Sequence, residues 1–212
     1  MGASVKTGSY VHVVATLNVE TGEGHIRYVN PVEKVLETDA APDPAAKLIA
    51  KDASGETLYE GNVVLRKSSS EQGQSNDVRL IQADVPKIEG MSVLELTYRD
   101  RTVARYVAGA LPVQADPGGM TLSLDAASPE AANRRVMTVG ELAETAPVSG
   151  ITYTVQVRPE GHQAWSTIAV GRPTPKLEID RNQFPGANRA DVRVLRTDGF
   201  NSDLVAAETI EL

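Results

Sequence analysis

Tyr10-Val-His-Val-Val-Ala-Thr-Leu17 decides how the rest of the chain is read. Val11, Val13, Ala15 and Leu17 alternate with Tyr10, His12, Val14 and Thr16. Successive side chains of an extended strand point to opposite faces, so this spacing predicts a strand that buries the first set and exposes the second. Ile26 and Tyr28 continue the pattern after the turn region Glu20–Gly24.

The same alternation recurs outward from that stretch. Lys47–Lys51 and Thr57–Gly61 flank Asp52-Ala-Ser-Gly55, a hairpin signal because glycine accepts the positive φ such turns need. Val78–Ala83 follows the polar loop Lys67–Asn76. Ser92–Tyr98 and Thr102–Val107 then flank Arg99-Asp100-Arg101, a second hairpin. Beyond Ala108 the run AGALPVQADPGG carries Pro112, Pro117 and three glycines. Proline removes backbone donors and glycine resists regular structure, so residues 112–119 are expected to link two domains, 1–111 and 120–212.

The second half repeats the style with Met120–Leu124, Arg135–Val139, Thr152–Arg158, Trp165–Val170, Lys176–Asp180, Ala190–Arg196 and Leu204–Glu211. Helical spacing is confined to Ser128–Asn133 and Gly140–Ala146. Short alternating strands separated by turn signals predict an all-β chain of two tandem Greek-key sandwiches. The halves also share a local pattern. Val85-Pro86 with Gly90 precedes a strand ending at Asp100, and Phe184-Pro185-Gly186 precedes one ending at Asp198-Gly199.

Composition bounds the chemistry. The 212 residues include 21 Lys+Arg against 28 Asp+Glu, a formal net charge of -7, and neither half is basic. Phosphate neutralisation drives nonspecific nucleic-acid binding, so no nucleic-acid partner is expected. There is no cysteine, which excludes disulfides and thiolate metal sites. No run approaches the roughly 20 apolar residues of a membrane helix, so no membrane insertion is expected. Aromatic residues are only 4%, so the cores must be built from Val, Leu, Ile and Ala. No nucleophile elbow, zinc-peptidase helix, phosphate loop or dinucleotide turn occurs, and no catalytic residue or cofactor is expected.

The residues of the second half carry a resemblance. Tyr153-Thr-Val-Gln-Val157, Trp165-Ser-Thr-Ile-Ala169, Leu177-Glu-Ile-Asp180, Phe184-Pro-Gly186, Asp191-Val-Arg-Val194 and Thr197-Asp-Gly-Phe-Asn201 form a series. It resembles the fibronectin type III-like or immunoglobulin-like module at the C-terminus of bacterial surface and secreted multidomain proteins, metallopeptidase-like ones included. The expected tryptophan around Arg135–Val139 is missing, and Glu160-Gly-His-Gln-Ala164 stands where a Gly-Gly or Asp-Gly turn is common. The resemblance implies a noncatalytic spacer, docking or adhesion appendage of an exported protein, outside the cell, on its surface or in the periplasm. Its partner would be a neighbouring domain or another surface protein. The alternative is a stand-alone glycan- or peptide-binding protein.

Five residues are candidate contacts: Trp165, His162, Asp198, Asn201 and Asp203. An indole offers a flat apolar face to a sugar, or packs across a sandwich edge. His162 lies in the turn after Pro159, where surface exposure is the ordinary reading. Asp198-Gly-Phe-Asn-Ser-Asp203 has oxygen ligands suited to calcium but lacks an EF-hand spacing, and Asp-Gly-x-Asn is also good turn chemistry. His12 and His25 share the outward face of the first hairpin without standing opposite each other, and surface histidines are expected there in preference to a zinc site.

Overall fold

A computed structural model describes residues 5–36, 40–67, 77–109, 122–126, 134–139 and 147–212. The chain divides into two compact units, Met1–Ala108 with Gly199–Asn201, and Gly109–Asp198 with Ser202–Leu212. Each is a β-sandwich. The expected linker 112–119 and both expected helical pieces lie outside the described residues, as does the 68–76 part of the polar loop.

In unit 1 the strands are β1 (Val5–Asn18), β2 (Gly24–Leu36), β3 (Asp43–Lys51), β4 (Thr57–Val63), β5 (Arg66–Lys67), β6 (Val78–Pro86), β7 (Val93–Tyr98) and β8 (Arg101–Val107). They form two antiparallel sheets, ordered β2-β1-β6-β5 and β4-β3-β7-β8. The predicted inward set of β1 is wholly buried: Val11, Val13, Ala15 and Leu17 have no exposed surface. They join Ile81 and Val85 of β6 and Leu48, Leu94 and Leu96 of the facing sheet in one cluster. Burying a side chain of this size is worth about 1.5–3 kcal/mol, so this row is a principal source of cohesion.

Turn chemistry sets the registers. Asn18 closes the β1–β2 turn by accepting bonds from the Glu20 and Thr21 amides at 2.9 and 3.0 Å. Asp52 does the same between β3 and β4, accepting from Ser54 and Glu56 amides, both at 2.9 Å. Between β7 and β8 the turn is only Arg99-Asp100, at φ 51° and 60°, and Tyr98 pairs with Arg101. Two successive positive φ values match the right-handed twist of a hairpin.

Unit 2 contains β9 (Leu122–Ala126), β10 (Arg134–Val139), β11 (Thr152–Pro159), β12 (Ser166–Arg172), β13 (Leu177–Asp180), β14 (Arg189–Thr197) and β15 (Ser202–Glu211). Its sheets run β13-β10-β9 and β12-β11-β14-β15. Met137, Val139 and Ile179 from the first sheet pack with Tyr153, Val155, Val157, Val192 and Val194 from the second. Phe184, ahead of Pro185 and Gly186 (φ 85°), plugs this core between β13 and β14. Trp165 stands one residue before β12, not inside the strand, because the Gly161 turn delays pairing until Ser166 meets Val157.

Candidate functional site

Strand parity positions the site. On β11 Tyr153, Val155 and Val157 enter the core, which leaves Gln156 and Arg158 on the outer face. On β14 Val192 and Val194 point inward, leaving Asp191 and Arg193 outside. Register then sets Gln156 opposite Arg193 and Arg158 opposite Asp191, with Thr209 of β15 opposite Asp191 on the other side.

These residues bond to one another across the sheet. Arg158 donates from Nη2 and Nε to Asp191 Oδ2 at 2.6 and 3.1 Å, and Thr209 Oγ1 donates to Oδ1 at 2.7 Å. The hydrogen bonds of Arg158 and Thr209 hold the Asp191 carboxyl below the usual carboxylate range. Arg193 Nε donates to Gln156 Oε1 at 2.7 Å, and Gln156 Nε2 donates to Thr167 Oγ1 at 3.0 Å.

Trp165 lies on this ladder. Its ring centre is 4.4 Å from the Arg193 guanidinium and 4.9 Å from that of Arg158, both within cation–π range. The indole is partly exposed and stands outside the hydrophobic core. Arg158 also borders an open depression of about 270 Å³ lined by Glu160, exposed His162, Arg189 and Asp191. The structure thus brings Trp165 and His162 to one region through Arg158, a link that sequence spacing does not reveal.

The remaining candidates sit elsewhere on the fold. Asp198 is 7% exposed and Phe200 1%, so the stretch from Asp198 to Asp203 is not an open loop throughout. Asn201 is exposed. Asp203 lies 3.5 Å from Arg196, whose side chain is 4% exposed, so one of the oxygen ligands considered for calcium faces a cation. Among the described residues no three of His, Cys, Asp or Glu come together to hold a metal. His12 faces Asp84 at 2.7 Å and His25 faces Glu23 at 3.2 Å, so each has a carboxylate of its own.

In unit 1 the corresponding four-stranded sheet presents a different outer face. Lys47 donates to Glu60 at 2.8 Å and Lys51 to Glu95 at 2.7 Å, with Arg105 3.7 Å from the same Glu95. The Glu60 carboxylate raises the Lys47 pKa. A wider depression of about 940 Å³ between β4 and β6 is lined by Tyr59, Val63, Ala83 and the His12–Asp84 pair.

No family model and no curated protein matches the chain. Among solved structures it is similar to the FN1–FN3 domains of chicken CNTN1, with 11% identity and a TM-score of 0.34. That match covers 99% of this chain, which spans 64% of the other. The fold assignment rests on the strand orders and cores above.

Proposed function

We propose that this chain is a noncatalytic accessory region, a pair of sandwiches that spaces, docks or attaches a larger exported bacterial protein, with a peptidase as a fitting parent. The observation that supports this reading is how the polar side chains are used. Arg158, Asp191 and Thr209, then Arg193, Gln156 and Thr167, bond to one another along one sheet face. Such a face suits contact with another surface. General acid–base chemistry instead needs a donor and an acceptor within reach of one substrate atom. Stiff sheets also keep recognition residues in place without disturbing the core.

The test is removal of residues 1–212 from the parent protein. Turnover of a small soluble substrate should persist, while attachment to the cell surface or to a macromolecular partner should fall. Loss of small-substrate turnover, with the same turnover recovered in the isolated pair, would contradict the reading.

A further inference from the structure

We propose that the outer face of β12-β11-β14-β15 binds an acidic glycan, with Trp165 as the platform for a sugar ring and Arg189 as the partner of its carboxylate. This rests on the docking reading above and names the ligand class.

Three features converge. The indole is held in place before any ligand arrives, because the two guanidiniums packed against it are themselves fixed, Arg158 by Asp191 and Arg193 by Gln156. A platform locked in this way loses little side-chain freedom on binding, which favours affinity. A flat, partly exposed ring offers an apolar surface matched to the C–H face of a pyranose.

The depression next to it is small. At about 270 Å³ it falls below the range of roughly 300–1,000 Å³ typical of whole-ligand pockets, so it fits one ring substituent. Its formal charges balance, so an anion would be drawn by one exchangeable cation and not by a net positive field. Arg158 and Asp191 satisfy each other, which leaves Arg189 and Glu160 as the charged groups of the depression outside that pair.

Arg189 is the group able to change partner. It lies 3.7 Å from Glu211, with the two side chains 64% and 85% exposed. A pair so exposed is held by little, and a ligand carboxylate can replace Glu211 while the planar fork provides two parallel donors. The chain as a whole carries -7, so attraction to an anion is local and sensitive to salt.

Trp165 is the sole tryptophan, so its emission reports on the site directly. The experiment titrates the full chain with a hexamer of galacturonic acid, a neutral glucose hexamer and a glutamate hexapeptide. The acidic sugar alone should give a saturable change, weakened about tenfold by Arg189→Gln, a loss of about 1.4 kcal/mol. Salt at about 0.5 M should weaken it too. Lys47→Gln on unit 1 should leave it unchanged. No saturable change, an equal response to the neutral hexamer or to the peptide, or indifference to Arg189→Gln would overturn the proposal. A failed titration leaves the deletion test of the accessory reading intact, so the two fail separately.

Discussion

The two sandwiches share one sheet and differ in the other. The order β4-β3-β7-β8 in unit 1 matches β12-β11-β14-β15 in unit 2, strand for strand. In the remaining sheet, unit 1 makes its first strand central, with β2 added outside it as the second arm of a hairpin. Unit 2 makes its second strand central, and the edge strand β9 precedes it. A proline and a positive-φ glycine precede both β7 and β14, Pro86 at the end of β6 with Gly90, and Pro185 with Gly186. The common sheet goes with common turn chemistry, whereas an edge strand can come from either side of the central one.

The outer faces of the shared sheet diverge as well. Unit 1 gives each lysine a carboxylate within 2.8 Å, the arrangement of a solvated surface. Unit 2 replaces this with two arginines against an indole, Arg158 paired with Asp191 and Arg193 bonded to Gln156. One architecture thus carries two outer faces of different chemistry, and the glycan proposal concerns the second.

The largest expected effects test whether the two cores are comparable. Leu96→Ala in unit 1 and Met137→Ala in unit 2 each truncate a fully buried side chain. Each should cost about 2–5 kcal/mol, read as a fall in urea midpoint. A cost well below that range at Met137 would mean the three-stranded sheet of unit 2 contributes little to its core.

The two β-hairpin turns should respond in opposite senses. Gly161, between β11 and β12, adopts φ 81° with open space where a Cβ would stand, so Gly161→Ala should destabilise by about 1 kcal/mol or more. Asp100 holds φ 60° without being glycine, and Asp100→Gly should stabilise by up to about 1 kcal/mol. Thermal midpoints check both, and equal signs would break the contrast.

A smaller effect follows from Asp191. Its folded pKa is depressed, first by the hydrogen bond from Arg158. The stabilisation is therefore complete above the unfolded carboxylate's pKa, about 3.9, and is lost as pH falls through the lower folded value. Thermal midpoints of wild type and Asp191→Asn should differ at neutral pH and converge in acid. The smallest effect is on unit 1, where Lys47→Ala should leave the midpoint unchanged, as for most exposed pairs.

Much of this was legible in the sequence, for physical reasons. Core rows such as Val11–Leu17 follow from the two-residue period of a strand, and glycine turns mark where strands end. Arg193 could be placed on the outer face because it falls between Val192 and Val194. Its meeting with Trp165 could not, because that depends on register between strands far apart in the chain. Nor could the order of β1 and β2 be read, since alternation says which face is buried and not which neighbour a strand has. The two-residue strand β5 is too short to show a period at all.

Amide hydrogen exchange resolved by residue tests the central claim, the strand orders of the two sandwiches, most directly. A central strand is bonded on both sides, so Tyr10–Asn18 of β1 should be protected at consecutive amides and β2 at alternate ones only. In unit 2 the roles reverse, with the later strand β10 continuous and the earlier strand β9 alternating. Continuous protection of Gly24–Leu36 with alternating protection of Tyr10–Asn18 would contradict the account.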